Sequence, residues 1–260
     1  MALFDQLPLN LSALALASLV VCAGTTLQVA TGVGLGLLAG PVLILTLQSE
    51  TAVFVAIILN LLVSFALLPQ EKGDISWPPL RVLLIGTLVG VPLGWLVLQQ
   101  IDATALKLFA GVVVLAAAVQ LLLLDRRTAF DGGGVEAQRR AWLGGGVSGF
   151  LSGCLAIPGP VAMWALLQQD IAPALVRATL RALFVCSYGA AFLVHFGFGG
   201  RAVGGWSTAA ALVPALAIGI GLGVVAKRNI REATLHVALR ALLLIMGLSL
   251  LWKGISDVTA

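Results

Sequence analysis

Gln28 to Val42 reads QVATGVGLGLLAGPV, and an altered copy, GFLSGCLAIPGPV, occupies Gly149 to Val161. Each copy lies inside an apolar segment, is rich in glycine and closes on Gly-Pro-Val. Proline removes a backbone donor and clashes with the preceding helical turn, so a continuous helix is not expected at either place. The two stretches therefore predict two interrupted helices, and the rest of the chain is arranged around them.

The composition around these stretches is that of a membrane protein. Of the 260 residues, 60% are hydrophobic and only 10% are charged, and the mean hydropathy is +1.08. A soluble domain has roughly 25% charged residues. Several uncharged apolar runs approach or exceed the ~20 residues that a spanning helix needs. The chain is predicted to be an all-α polytopic membrane protein, and its net charge of +4 belongs to short loops rather than to a nucleic-acid interface.

The chain divides into two similar halves. Residues 1–124 and 141–260 each hold one glycine-rich segment followed by three apolar spans, and the polar residues 125–140 link them. A duplication of this length differs from the short period of a solenoid repeat. Each half is predicted to contribute three full spans plus a Gly/Pro-broken pair, which is either a re-entrant hairpin or two short helices.

Basic residues predict that the halves have opposite orientations. The linker carries four arginines, and a second basic turn contains Lys227, Arg228 and Arg231. Such clusters mark the cytoplasmic side of a membrane. With both on the inside, the span from Thr51 to Leu68 runs inward and its counterpart from Ala174 to Phe196 runs outward. The halves are therefore predicted to be inverted repeats, with a cytoplasmic linker and both termini outside.

The paired interruptions point to a transport site. In hydrocarbon, broken backbone is tolerated only where protein or a water-filled cavity covers it. Broken segments in corresponding positions of two halves mark the binding sites of transporters. A helix that restarts at Pro41 or Pro160 would present free N–H groups and its positive dipole end, which suit an anion. Kinked packing without a site is the alternative.

Polar residues inside the spans complete the candidate site, although such residues also tie helices together. The predicted substrate-binding residues are Gln28, Thr31, Gly32, Gly34, Gly40, Pro41, Asn60, Ser152, Gly153, Gly159, Pro160 and Arg181. Arg181 lies about 12 Å into its span from Pro173, and a guanidinium can bind an oxyanion with paired hydrogen bonds. Arg177 is expected to reach the cytoplasmic headgroups. His195 is expected at the membrane interface, because no partner is evident.

The sequence offers no motif for catalysis. It contains no Ser/His/Asp set, no metal-ligand cluster and no phosphate loop, and the glycines near Gly34 lack the strand–helix context of a dinucleotide fingerprint. Cys22, Cys154 and Cys186 show no metal-ligand spacing. The chain is therefore predicted not to be an enzyme and to use no cofactor, metal or nucleic acid.

Two halves that each open with a glycine-rich segment ending in proline resemble the TauE/SafE family of sulfite and organosulfonate exporters, within the toluene sulfonate uptake permease group. The residues that carry the resemblance are Gly32, Gly34, Gly36, Gly40 and Pro41, then Gly149, Gly153, Pro158, Gly159 and Pro160. The resemblance covers the chain from Leu11 to Trp252. The run from Ser152 to Pro158 departs from the family, because it is poorer in glycine than the usual run.

The resemblance implies both a function and a location. It implies a secondary transporter that exports small sulfur-containing anions, such as sulfite or sulfoacetate, across the bacterial inner membrane by alternating access. Membrane lipid is an implied partner, and a homodimer is a compatible assembly. A channel-like anion pore, a carrier of other small organic anions and a membrane-embedded structural subunit are the alternatives. Pure scaffolding needs no interrupted backbone, so the duplicated breaks argue against the last.

Overall fold

The computed structural model describes residues 10–71, 75–124, 135–169, 171–198 and 204–259, and every regular element within them is helical. A 3₁₀ turn, Leu68–Glu71, follows the third helix. The α-helices are α1 (Leu11–Thr31), α2 (Leu35–Thr46), α3 (Ser49–Leu67), α4 (Trp77–Gln100), α5 (Ala103–Leu124), α6 (Val135–Leu155), α7 (Gly159–Leu167), α8 (Pro173–Phe198), α9 (Gly205–Asn229) and α10 (Glu232–Thr259).

Seven helices in the described part of the chain are long and apolar enough to cross a membrane: α1, α3, α4, α5, α8, α9 and α10. By contrast, α2 and α7 have 12 and 9 residues. They extend about 18 and 14 Å at 1.5 Å per residue, against a hydrocarbon core of ~30 Å. The predicted all-α polytopic membrane protein is confirmed, whereas the inverted relation of the halves stays a prediction.

Several boundaries differ from those predicted. Most of the polar linker lies outside the described residues, but residues 135–140 form the first turns of α6 rather than a loop. Within these turns Arg140 Nη2 lies 3.2 Å from Glu136 Oε1, an i,i+4 pair that supports a helix. Helix α10 extends to Thr259, beyond the predicted end of the last span at Trp252. The glycine-rich run of residues 197–205, which contains Arg201, is predicted from the sequence to be a loop, and residues 199–203 of this run lie outside the described residues.

The short helix α7 folds back along α6. Close to the turn, Ser148 Oγ of α6 donates a hydrogen bond to the carbonyl oxygen of Pro158 at 2.9 Å. Farther from the turn, Gln169 Nε2 donates to the carbonyl oxygen of Ala137 at 3.0 Å. Later residues of the segment thus meet earlier residues of α6, which is the pattern of an antiparallel hairpin.

The short helix α2 folds back along α1 in the same way. The Leu35 N–H donates to Oε1 of Gln28, an α1 residue, at 2.9 Å. A Cβ atom on Gly24 of α1 would lie 3.1 Å from the Leu35 Cα and 3.5 Å from the Leu38 Cβ. Both broken segments are therefore folded back as hairpins, and their arrangement in the membrane, re-entrant or spanning, stays a prediction.

The first interruption lies earlier than its proline suggests. Gly32, Val33 and Gly34 separate α1 from α2, so the prediction that a helix restarts at Pro41 is wrong. Pro41 lies inside α2, where the loss of one backbone hydrogen bond is tolerated because neighbouring groups in a membrane bundle can satisfy the freed carbonyl. Pro160 does occupy the first turn of α7, as predicted.

Helices from different halves pack against each other: α4 against α6, α1 against α9, and α5 against α10. The backbones of α4 and α6 come so close that a Cβ atom on any of six glycines would overlap an opposing backbone oxygen. Small residues permit this approach between membrane helices. We call the contact the glycine seam, and its members are Gly86, Gly90, Gly94, Gly145, Gly149 and Gly153.

Candidate functional site

The turns of the two hairpins meet inside the molecule. We call Gly32–Gly34 tip 1 and Ala156–Pro158 tip 2. A Cβ atom on Gly159, the residue after tip 2, would lie 3.1 Å from Cγ1 of Val33 in tip 1. All residues of both tips are buried. The two interruptions of the helical backbone therefore share one location in the core.

A small cavity lies between the tips and α8. Its volume is about 10 Å³, which is the space that roughly one water molecule needs. Both hairpins and two aromatic rings of α8 supply its walls. The lining residues are Gln28, Val33, Gly34, Gly36, Leu37, Ile157, Gly159, Phe184 and Tyr188. Three of the residues predicted from the sequence are among them, namely Gln28, Gly34 and Gly159.

The first turn of α2 borders this cavity. Its N-cap residue is Gly34, which has no side chain to accept a hydrogen bond from the free N–H groups of the turn. Gln28 satisfies one of these groups through the bond from Leu35 to its Oε1. The first N–H groups of a helix have no partner within the helix, and with the helix dipole they favour negative charge. The cavity therefore borders a helix end that stabilises an anion.

Three carbonyl groups around tip 2 are bonded to side-chain donors. The three pairs are Tyr188 Oη with Ala156 O at 3.3 Å, Ser148 Oγ with Pro158 O at 2.9 Å, and Gln120 Nε2 with Pro160 O at 2.6 Å. A carbonyl oxygen without a donor presents negative partial charge to its surroundings. The bonds of Pro158 and Pro160 therefore reduce the repulsion that an anion would meet on this side of the cavity.

Two basic side chains of α8 reach the ends of the helices that precede the tips. Arg181 Nη2 donates to the carbonyl oxygen of Val29 in α1 at 3.4 Å. His195 Nε2 lies 2.8 Å from the carbonyl oxygen of Gly153 in α6, so this nitrogen carries the proton. Both carbonyls belong to the last turn of their helix, where the dipole is negative and a donor is favourable.

The hydrogen bond of His195 contradicts one prediction. His195 was expected to lack a partner, and that expectation is wrong, because the residue is 6% exposed and its ring is bonded to α6; its placement at the membrane interface stays a prediction. Arg181 is 4% exposed, in keeping with its depth, whereas Arg177 is exposed. The Arg181 guanidinium contacts α1 and is not among the residues that line the cavity. Its role as a substrate ligand stays a prediction.

Three other predicted residues shape tip 1 and its surroundings. Gly32 forms the turn itself, with a φ of 95°. Thr31 Oγ1 donates to the carbonyl oxygen of Val33 at 2.9 Å and so closes the turn. Asn60 Nδ2 bonds to the backbone of its own helix and lies 3.5 Å from the position of a Cβ atom on Gly36. These residues hold the wall of the cavity, and a direct substrate contact for them stays a prediction.

The remaining predicted residues lie farther from the cavity lining. Gly40 and Pro41 are inside α2. Gly153 belongs to the glycine seam, so packing against α4 accounts for its lack of a side chain. Ser152 is fully buried, and its Oγ has no hydrogen-bond partner among the described residues. Pro160 lies in the first turn of α7, where its carbonyl is the acceptor for Gln120.

Sequence reasoning missed the two aromatic residues of α8 that line the cavity, Phe184 and Tyr188. Their rings are 5.8 Å apart, and each residue is 3% exposed. A signal for one of them was present, because Tyr188 is the only tyrosine in the chain and lies within an apolar span. A buried tyrosine hydroxyl usually needs a hydrogen-bond partner, which marks it as a polar group of the core.

Comparison with known proteins shows the family of this chain. The family model described as sulfite exporter TauE/SafE matches residues 16–250, which include both tips and every lining residue of the cavity. The chain belongs to the TauE/SafE family. A relative from Cupriavidus necator, described as a probable sulfite/organosulfonate exporter TauE, is 30% identical over 168 residues. That match covers 62% of this chain and 64% of the relative, and no solved structure matches the chain.

Membership of the TauE/SafE family confirms the resemblance inferred from the glycine-rich segments. The family is one of exporters rather than of enzymes. Together with its seven apolar helices, membership makes this TauE/SafE chain a multi-pass bacterial membrane protein.

Proposed function

We propose that this chain exports a small sulfur-containing anion, either sulfite or an organosulfonate, and binds it at the cavity between the tips. The substrate class comes from the family and from the relative in Cupriavidus necator. The observation that carries the proposal is the first turn of α2, which borders the cavity without a side-chain cap on Gly34. Free N–H groups at a positive helix end bind oxyanions without a charged side chain.

The charges around the tips favour an anion over a cation. Arg181 brings a permanent positive charge to the end of α1 and offsets the negative end of that helix. Of the acidic residues whose side chains the structure describes, none is buried. The first turn of α2 and the guanidinium both add positive potential to this part of the core.

The cavity is in a closed conformation. Sulfite has four non-hydrogen atoms and needs several times the space of the single water molecule that a cavity of about 10 Å³ holds. The tips must therefore separate before a substrate can bind. We propose that they open toward one side of the membrane at a time, as alternating access requires.

The packing of the helices supports two inverted repeats as the framework for this movement. Helix α1 packs against α9 as α6 packs against α4, and α5 packs against its counterpart α10. Inverted repeats place a substrate site midway through the membrane and allow two opposite-facing states of similar energy.

Export of this kind does not need a coupling ion. An inside-negative potential favours the exit of an anion by ~2.3 kcal/mol per charge per 100 mV. We therefore propose that the membrane potential drives net efflux. The positive charge of Arg181 favours the presence of the anion near the cavity, and the membrane potential sets the direction of net transport.

The test uses the purified protein in liposomes loaded with radiolabelled sulfite. We expect saturable efflux, counterflow of labelled sulfite, and a rate that rises with an imposed inside-negative potential in the absence of proton and sodium gradients. Protein-free liposomes are the control. Current steps in a planar bilayer would favour the channel-like pore, and a requirement for an ion gradient would reject the uncoupled mechanism. Absence of flux for both sulfite and methanesulfonate would reject the proposed substrate class.

A further inference from the structure

We infer that Tyr188 is a substrate-binding residue whose hydroxyl exchanges its hydrogen-bond acceptor during transport, from the carbonyl oxygen of Ala156 in the closed state to an oxygen of the bound anion. This inference rests on the proposed function and deepens it. It assigns a direct role in recognising the anion to a side chain that no sequence motif marks.

The hydroxyl of Tyr188 lies where the two hairpins meet. It donates to the Ala156 oxygen of tip 2 at 3.3 Å. A Cβ atom on Gly36, in the first turn of α2, would be 3.3 Å from the same hydroxyl. The residue lines the cavity and is 3% exposed. A group entering between the tips at the α2 helix end would therefore lie beside two side chains with donors, Tyr188 and Gln28.

The bond to Ala156 is weak enough to be exchanged. Hydrogen bonds between two oxygens are usually 2.5 to 3.0 Å long, so a separation of 3.3 Å indicates a poor bond. A hydrogen bond to an ionised acceptor is roughly twice as strong as one between neutral groups. The hydroxyl therefore favours an anion over the carbonyl once the tips have separated, and the freed carbonyl can be solvated in the opened cavity.

The ring of Tyr188 is held in place for this exchange. Its neighbour Phe184, one helical turn earlier on α8, packs against it with ring centroids 5.8 Å apart, and both residues are almost fully buried. The hydroxyl can change its acceptor by rotation of its hydrogen about the Cζ–Oη bond alone. Recognition then needs no movement of the side chain.

Together the hydroxyl and the α2 helix end fit an oxyanion with several oxygens. One oxygen can accept from the N–H groups after Gly34 while another accepts from Tyr188. Sulfite and sulfonates have three oxygens on one sulfur and can satisfy donors from both directions at once. Tyr188 would therefore contribute to the preference for this class over anions with fewer acceptor atoms.

Because the chain has one tyrosine, replacing tyrosine biosynthetically changes only Tyr188. The experiment compares the protein carrying tyrosine, 3-fluorotyrosine or 3,5-difluorotyrosine, at a pH where every phenol is protonated. Fluorination makes the phenol more acidic and a stronger donor, while the hydroxyl and the ring remain. We expect affinity for methanesulfonate to rise with phenol acidity, and the single ¹⁹F resonance of the 3-fluorotyrosine protein to shift on binding.

The variant Tyr188→Phe removes the hydroxyl and keeps the ring. A hydrogen bond to a charged group contributes enough that we expect methanesulfonate binding to weaken roughly 10- to 100-fold. The matched control is Phe192→Leu, one turn farther along α8 and outside the cavity lining, for which we expect wild-type affinity. Thermal unfolding of both variants checks their fold, and if Tyr188→Phe is unstable the fluorotyrosine series decides.

Two results would overturn the exchange of acceptors: an affinity that is independent of phenol acidity, or one that falls as acidity rises because the stronger donor stays on Ala156. Normal methanesulfonate binding by a folded Tyr188→Phe protein would do the same. In each case sulfite transport by the wild-type protein would leave the proposed function standing. If the wild-type protein neither binds methanesulfonate nor transports sulfite, the proposed function itself fails.

Discussion

Tip 1 and tip 2 reverse the chain with different residues in the same places. Tip 1 starts at Gly32, with a φ of 95°, and tip 2 starts at Ala156, with a φ of 57°. Both angles lie in the left-handed region, which glycine enters freely and which costs other residues roughly 1–2 kcal/mol. Tip 1 ends in Gly34 as the N-cap of α2, whereas tip 2 ends in Pro158 as the N-cap of α7.

The two helix starts after the tips differ in the donors that they offer. The run Pro158-Gly159-Pro160 contains two residues without a backbone N–H, while α2 starts with residues that all keep theirs. The carbonyls of the same run are bonded to side chains of α5 and α6. We infer that tip 1 binds the anion and that tip 2 forms the fixed wall of the cavity. The two copies of the duplicated segment therefore have different roles.

Breaking the contact between the tips has the largest expected effect. In Gly36→Ala the new Cβ would lie 2.6 Å from the Ala156 oxygen, closer than Cβ atoms normally approach, so the tips must shift. Overpacking of this kind costs about 1–3 kcal/mol, and we expect the initial rate of sulfite efflux from proteoliposomes to fall roughly 10- to 100-fold. In the matched control Gly40→Ala the nearest atoms are 3.7 Å away, and we expect near-normal efflux. Equal rates in the two variants would contradict a tight contact between the tips.

Replacing the basic side chain at the end of α1 or of α6 tests how much each one contributes to anion binding. Arg181→Ala removes a charged donor, and such hydrogen bonds contribute about 1.5–3 kcal/mol, against about 0.5–1.5 kcal/mol for a neutral donor such as His195. We therefore expect Arg181→Ala to weaken methanesulfonate binding more than His195→Ala does, as measured by calorimetric titration. The exposed Arg177 is the control, and Arg177→Ala should bind normally. Equal losses in Arg177→Ala and Arg181→Ala would show that overall charge, not position at tip 1, matters.

Exchanging the first residues of the tips has the smallest expected effect. No atom lies within 4 Å of a Cβ on Gly32, so Gly32→Ala adds only backbone strain, and we expect a loss of about 1 kcal/mol in the free energy of unfolding. In Ala156→Gly the relief of strain is offset by the greater freedom of glycine in the unfolded chain, so we expect a change within about 0.5 kcal/mol. Denaturant unfolding in detergent measures both. Wild-type stability of Gly32→Ala would mean that tip 1 adapts its backbone.

The class of the protein and the existence of two interruptions could be predicted from local sequence. Apolar runs of spanning length give the helices directly. Tip 2 was located closely, because Pro158 and Pro160 flank the point where the helix restarts and a proline there loses no helical hydrogen bond. Proline therefore locates an interruption of the helix correctly where the proline lies next to the turn.

Tip 1 was misplaced because proline does not always end a helix within a membrane. Pro41 lies inside α2, as Pro92 and Pro214 lie inside α4 and α9. Neighbouring helices can satisfy the backbone groups that such a proline frees. The residue that ends α1 is Gly32, through its positive φ, and a sequence with several nearby glycines does not say which of them adopts it.

The contacts that build the site are too distant in sequence to be predicted from one chain. Arg181 and Val29 are 152 positions apart, and Gln120 and Pro160 are 40 apart. His195 has no charged neighbour in its span that would suggest a partner, and its acceptor is a backbone oxygen of another helix. Backbone acceptors carry no side-chain signature, so only the fold reveals these pairs.

The glycine seam also constrains how the protein is made. Helix α4 is synthesised before α6, and α1 and α5 are synthesised well before α9 and α10, so three helices of the nascent first half insert before their partners have been synthesised. Insertion and final packing are therefore separate events, and the second follows only late in translation. A gene cut between the halves would yield two products, each of which needs the other in order to mature.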